Sequence, residues 1–273
     1  MTTLTAAEIA RYHADGILFP FDVLDAAEVE AANQALARLE AAPADIRKGV
    51  LSSKSYLVSR TLYDICTKPA IVDRVADVLG GDAMLWSAGF FVKEARTPHF
   101  VSWHQDLTYW GLTPDDVVTA WVALTPSTVE SGCMRVIPGS HRGAILPHAN
   151  TYGATNLLSR GQEIAVAVDE RKAVDVVLAP GQMSLHHVKI VHNSEPNRAA
   201  LRRAGFAIRY VAPHVRQERP VRDTATLVRG SDRHGHFGGE SAPHGELVAE
   251  DVAAHQRHWR EHVALMKAER ANT

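Results

Sequence analysis

Along the chain the spacing of apolar positions changes once, near residue 83, from a helical period to short strand-like runs. Before that point the first quarter reads as mostly helical. Thr5 followed three residues on by Glu8 is a capping box, and Gly16 is a suitable stop for the short helix between them. Asp25 and Glu28 repeat the signature ahead of an Ala/Glu-rich helix predicted to run to about Ala42, where Pro43 ends it. Ile71, Val75 and Val78/Leu79 share one face of a third helix that begins near Pro69 and ends before Gly80-Gly81. From Ala83 onward, apolar and β-branched runs alternate with Pro, Gly and Asn, and strands are predicted over 84–93, 100–104, 117–124, 134–137, 174–178, 183–187 and 205–211. Pro180-Gly181 makes a turn between two of them. Short antiparallel strands of this kind predict a sandwich or jelly roll with flanking α-helices. Residues 214–247, rich in Arg, Gly, His and Pro, read as a long loop. A last helix, about 249–270, places Val252, Trp259, Val263 and Met266 on one core-facing stripe.

Composition narrows the partners more than the fold. At 273 residues the chain is expected to be a single domain, with a helical part at about 1–82, a jelly-roll core at about 83–213 and a loop plus helix at about 214–273. A net charge of −2 and a pI near 6.7 lack the basic patch that nucleic acid or an anionic membrane requires, so a small-molecule partner is expected. Cys66 and Cys133 are too few and too far apart for a disulfide framework or a zinc knuckle, which fits a reducing cytoplasm. Met1-Thr2-Thr3-Leu4-Thr5 lacks the blocks of a signal peptide, and no apolar run approaches bilayer length, so a soluble, cytoplasmic protein is expected. Nothing in the pattern indicates an oligomeric state.

Three local patterns look like metal sites. His13-Ala14-Asp15 falls at a helix end, where residues two apart do not face each other. His258-Trp259-Arg260-Glu261-His262 fits a helical H-x-x-E-H motif, but Trp259 reads as the core-facing residue, which leaves the histidines and Glu261 on the solvated side. His104-Gln105-Asp106 lies in a β region, where residues two apart project to one face. His192 is the candidate third ligand. Two histidines and one carboxylate form the ligand set that leaves open positions on a non-haem Fe(II). Arg203, beside Arg202 where the chain leads into the following strand, suits the distal carboxylate of a 2-oxoglutarate co-substrate. The Ser194 hydroxyl is placed to add a hydrogen bond. Arg202 is the adjacent competitor, but alternation turns it to the other face. Lys93 reads either as a co-substrate contact or as a strand-end surface charge. His186 and His187 read as core or flanking residues, and Trp86, Phe91, Tyr109, Trp110 and Met134 as packing or pocket lining. Of Arg209 and Tyr210, alternation lets at most one see the pocket.

Four blocks carry a family resemblance: Gly89-Phe90-Phe91-Val92-Lys93; Trp103-His104-Gln105-Asp106-Leu107-Thr108-Tyr109-Trp110; Gly132-Cys133-Met134-Arg135-Val136-Ile137-Pro138-Gly139-Ser140-His141; and Pro180-Gly181-Gln182 through Tyr210. In order and spacing they resemble the phytanoyl-CoA dioxygenase family of Fe(II)- and 2-oxoglutarate-dependent oxygenases. The resemblance implies a double-stranded β-helix, the cupin-like jelly roll. It implies that His104, Asp106 and His192 hold iron and that Arg203 and Ser194 bind 2-oxoglutarate. Trp121 falls on the family's co-substrate-lining tryptophan. Asn193 replaces the common Gly after the distal histidine, a change a left-handed turn tolerates. Related halogenases carry a small residue at the position of Asp106, so the carboxylate points away from halogenation to hydroxylation, with desaturation or cyclisation left open, O2 as second co-substrate and succinate and CO2 as products. Two rivals stay open: a cupin-like metalloenzyme that does not use 2-oxoglutarate, and a non-catalytic metal-binding sensor on the same fold. The substrate and its site of oxidation are not legible; Arg216 to His244 would favour an anionic group if that stretch closed over the pocket, but it reads first as solvated loop.

Overall fold

The computed structural model describes residues 3–158 and 160–271, leaving aside the side chains at 266 and 268–271. The chain opens with α1 (Ala6–Asp15), β1 (Ile17–Asp22), α2 (Ala26–Glu40), α3 (Ala44–Ser52), α4 (Arg60–Cys66) and α5 (Pro69–Leu79). The core follows with β2 (Ala83–Lys93), β3 (Val101–His104), β4 (Leu112–Thr113), β5 (Val117–Ala123), β6 (Met134–Ile137), β7 (His148–Asn150), β8 (Gln162–Ile164) and β9 (Val174–Val176). It is completed by β10 (Gln182–His187), β11 (Val191–Ser194), β12 (Arg203–Val211), β13 (Arg216–Gln217), β14 (Thr224–Arg229) and β15 (Gly238–Gly239), and the chain closes with α6 (Ala249–Ala271).

The two capping boxes form as the sequence predicts, with the Thr5 and Asp25 side chains accepting from the N–H groups of Glu8 and Glu28. Gly16 and Gly80 end α1 and α5 in the left-handed conformation. α3 and α4 were not read from the pattern. α3 starts directly behind Pro43 with no side-chain cap, and α4 is only two turns long behind a lone Ser59 cap.

A major sheet runs in the order β1-β10-β5-β12-β2-β14-β15, antiparallel except at β14–β15. A minor sheet runs β3-β11-β6-β9. Strand alternation sorts the major sheet's two faces. From β12, Ala204, Phe206, Ile208 and Tyr210 enter a cluster with the buried residues of α2, α4 and α5. On the opposite face Trp121, Ala123 and Ala207 meet Met134, Val136 and Val176 of the minor sheet. The result is a double-stranded β-helix whose outer face is helix-covered and whose interior lies between the sheets.

Residues 214–247 are not one long loop. β13 pairs with β4, and β14 adds to β2 in the major sheet. β14 escapes the pattern because only Ala225 among its six residues is buried. The α6 stripe is also rearranged. Asp251 and His255 are buried, Val252, Trp259 and Val263 are half-buried, and Met266 is among the side chains not described. Trp259 packs on α3, where a Cβ at Gly49 would lie 2.9 Å from its ring. His258 and His262 are not on a solvated face but line a cleft. Burial pushes His258 down to about 4. Among the described residues no helix is long and apolar enough to cross a membrane.

Candidate active site

His104 ends β3, and extended backbone carries on through Gln105 (φ −124°, ψ 124°), so Asp106 returns to the face of His104. Gln105 points the other way and is buried. Its amide donates to the Lys189 carbonyl at 2.8 Å and accepts from the Leu146 N–H at 2.8 Å, and its own N–H donates to His148 Nε2 at 3.0 Å. His192 sits in β11 directly across from His104 in the antiparallel register, with ring centres 4.0 Å apart. One ligand atom from each of His104, Asp106 and His192 lies within 4.8 Å of the others, and no other such group of three occurs among the described residues.

The hydrogen bonds fix which imidazole atoms face inward. His104 Nδ1 lies 2.9 Å from the Ser102 carbonyl and His192 Nδ1 lies 3.0 Å from the Ile190 carbonyl. A carbonyl only accepts, so both Nδ1 atoms carry protons and both Nε2 lone pairs turn toward Asp106. His104 Nε2 stands 3.2 Å from Asp106 Oδ1, two acceptors face to face unless a proton or a metal cation lies between them. Burial by itself would raise the Asp106 carboxyl, but with that proton on His104 Nε2 the hydrogen bond between the two, with the Arg209 charge nearby, outweighs it and holds the group well below the usual carboxylate range. Burial, then the neighbouring His104, push His192 down to about 3, so it stays neutral with its lone pair available. Three converging donors of this kind fit a divalent first-row metal.

The other end of the cavity is cationic. Arg203 and Lys93 are register partners on β12 and β2, and both are buried. Arg203 Nη1 donates to the Gly132 carbonyl at 2.7 Å, its guanidinium carbon lies 4.7 Å from the centre of the Trp121 ring, and its Nε is buried with no partner. Burial lowers the Arg203 guanidinium to about 10. Lys93 is no surface charge. Its ammonium donates to Ser194 Oγ at 2.6 Å and to the Ser194 carbonyl at 3.0 Å, and it also contacts the Glu195 carbonyl. Burial and the adjacent Arg203 push Lys93 down to about 6. A buried guanidinium without a carboxylate, beside an amine that an incoming anion would draw toward its charged form, makes a receptor for an anion. The triad, Lys93, Trp121, Ser194 and Arg203 all line this one cavity.

Trp121 fits beside Arg203 because position 205 has no side chain: a Cβ there would lie 1.8 Å from the indole. Arg202 turns outward to Glu40 and Glu94, as alternation requires. Tyr210 donates to the Cys66 carbonyl at 2.6 Å in the core, whereas Arg209 lines the cavity. Asn193 lies in extended backbone inside β11, so no left-handed turn is needed there. Ser140 and His141 are structural: Ser140 Oγ accepts from the Val191 N–H at 2.9 Å, and His141 Nε2 donates to the His13 carbonyl at 3.1 Å. His186 joins the cavity wall, its ring 5.4 Å from His192. His148 and Gln105 were missed as supports. A contact across 43 residues leaves no periodic signal in the chain.

Fold and site together define a double-stranded β-helix with a two-histidine, one-carboxylate group facing a buried anion receptor. The chain belongs to the phytanoyl-CoA dioxygenase family, whose model matches residues 12–205. Among solved structures it resembles ThoJ, a non-heme monooxygenase, in its apo form, with 35% identity and a TM-score of 0.81 over 94% of this chain and 98% of that one. Among curated relatives, a probable alpha-ketoglutarate-dependent hypophosphite dioxygenase from Stutzerimonas stutzeri is 32% identical over 145 residues, 52% of this chain and 50% of that protein. The human peroxisomal phytanoyl-CoA dioxygenase is 28% identical over 170 residues, 60% of this chain and 49% of that protein. The chain thus spans about half the length of the curated relatives it matches.

Proposed function

We propose that the protein is an Fe(II)- and 2-oxoglutarate-dependent dioxygenase that hydroxylates an unactivated C–H bond of a small organic molecule, releasing succinate and CO2. The observation that carries this reading is the presence, in one cavity, of the His104–Asp106–His192 group and of Arg203, a buried cation with no carboxylate of its own. Under this reading His104, Asp106 and His192 hold the iron and leave positions for the keto acid and O2. The iron supplies O2 activation. Arg203 pairs with the distal carboxylate of 2-oxoglutarate, and the Trp121 ring packs beside the guanidinium. Lys93 fixes the Ser194 hydroxyl as a further hydrogen-bond partner at that end. The relatives whose names include a monooxygenase and an alpha-ketoglutarate-dependent dioxygenase support the same chemistry. A cupin-like centre without a keto acid has no use for Arg203, and a structural metal site fills its coordination with four protein ligands where three converge here.

Anaerobic addition of Fe(II) and then 2-oxoglutarate should give the weak visible charge-transfer band of a chelated keto acid. Arg203→Ala should weaken 2-oxoglutarate binding by roughly thirtyfold to several thousandfold, since truncating one partner of a buried charge pair costs about 2–5 kcal/mol. Iron binding should survive that change, whereas Asp106→Ala should abolish it. Folded wild-type protein that gave no band would sink the co-substrate assignment.

A further inference from the structure

Arg209 is not accounted for by the co-substrate end. It projects from β12 on the face of Arg203, six residues farther along, a separation of about 20 Å at the strand rise. It lines both the inner cavity and a larger outer cleft of about 800 Å³. Its guanidinium carbon lies 5.1 Å from the centre of the Trp110 ring and 6.0 Å from that of Phe91, so two aromatic faces hold the fork. Its Nε is buried without a hydrogen-bond partner. Among the described residues the anion whose charge bears on it is Asp106, and that carboxylate is turned to His104. The pairing of β12 with β2 shifts register between Arg209 and Tyr210, an irregularity of the kind that re-aims a side chain beside a site. The cleft beyond it is walled by Trp86, Tyr109 and Trp110, with Trp86 and Trp110 5.2 Å apart.

The acidic residues of this cleft are already engaged. Asp223 accepts from Trp86 Nε1 at 2.6 Å, and Glu40 is bound by Arg202. A 2-oxoglutarate whose distal carboxylate meets Arg203 spends its other end on the metal and leaves Arg209 unanswered. A desolvated guanidinium with its fork open to a cleft is stabilised most by a carboxylate or phosphoryl group.

The geometry points to Arg209 as the receptor for an anionic group of the organic substrate, a carboxylate or a phosphoryl group, whose flat apolar body lies along Trp110, Tyr109 and Trp86; this rests on the dioxygenase reading. The anion then sits on the far side of the metal group from Arg203. It orients the substrate so that the carbon to be oxidised faces His104, Asp106 and His192.

The test is calorimetric titration under argon of protein holding Fe(II) and saturating 2-oxoglutarate, with 3-phenylpropionate, phenyl phosphate and the neutral 3-phenylpropionamide. At least one anion should bind tenfold or more tightly than the amide. Arg209→Gln should remove that preference, Arg209→Lys should keep part of it, and Arg209→Gln should weaken the favoured anion more than it weakens 2-oxoglutarate. Anions that bind no better than the amide overturn the proposal, as does a preference that survives Arg209→Gln. A larger loss of 2-oxoglutarate than of the anion also overturns it and assigns Arg209 to the co-substrate. A missing charge-transfer band with the anion preference intact would remove the dioxygenase reading and leave the anion site standing, because calorimetry needs no turnover.

Discussion

A single absent methyl group shapes the co-substrate end of the cavity. Gly205 leaves room for the indole of Trp121, and Trp121 in turn holds Arg203. Gly205→Ala should displace the indole and raise the 2-oxoglutarate dissociation constant by roughly tenfold, since overpacking a filled interior costs about 1–3 kcal/mol. Iron binding should persist, and titration of the charge-transfer band separates the two effects. Residues of this kind differ in how far the chain reveals them. His104 and Asp106 are legible because strand alternation puts them on one face, and His192 and Arg203 because their positions match those of the family the chain resembles. Lys93 is legible only as an ambiguity, because a strand-end lysine is usually solvated. Its burial depends on a ring of carbonyls from residues 132, 194 and 195.

At the scale of elements, the least legible part is the segment that follows the core. β14 and β15 are held by Lys54, whose ammonium donates to the Trp86 and Thr224 carbonyls at 2.6 and 2.8 Å and to Glu240 Oε1 at 2.7 Å. Tyr56 and Thr226 donate to the other oxygen of Glu240. This clasp joins the end of α3 to a strand 170 residues later, so nothing near Lys54 in the chain announces it. The Lys54 and Glu240 side chains are both buried, and Glu240→Gln leaves the Lys54 ammonium with only the more distant Asp223 carboxylate, at 4.0 Å. Removing one partner of such a pair costs about 3–5 kcal/mol. Urea unfolding should register a loss of that order. The double variant Lys54→Met, Glu240→Leu should be more stable than the sum of the single losses, the signature of direct coupling.

At the scale of the whole molecule, α1, α2, α4 and α5 share one apolar cluster with β5, β10 and β12. We propose on that ground that the chain is one domain, and calorimetry should show one cooperative unfolding transition. Acid should weaken it. Burial, then the neighbouring His141, push His187 down to about 4, below the ordinary 6.5 of an exposed imidazole. Between those two values the unfolded chain binds the proton and the folded chain does not, so stability falls as pH drops from 6.5 toward 4 and levels below that. His187→Asn, which retains an acceptor for the Lys189 N–H, should recover on the order of 2 kcal/mol of that loss in urea midpoints compared at pH 7 and pH 4.5. β12 imposes a different limit on the molecule. It runs between β5 and β2, bonded on both sides, and carries Arg203 and Arg209 on one face. A strand held on two edges cannot stretch, so the two arginines form a ruler of fixed length. A relative that takes a longer or shorter substrate must then change the loops at the cleft mouth, because inserting or deleting one residue in β12 would turn one of the two arginines into the helix-packed core.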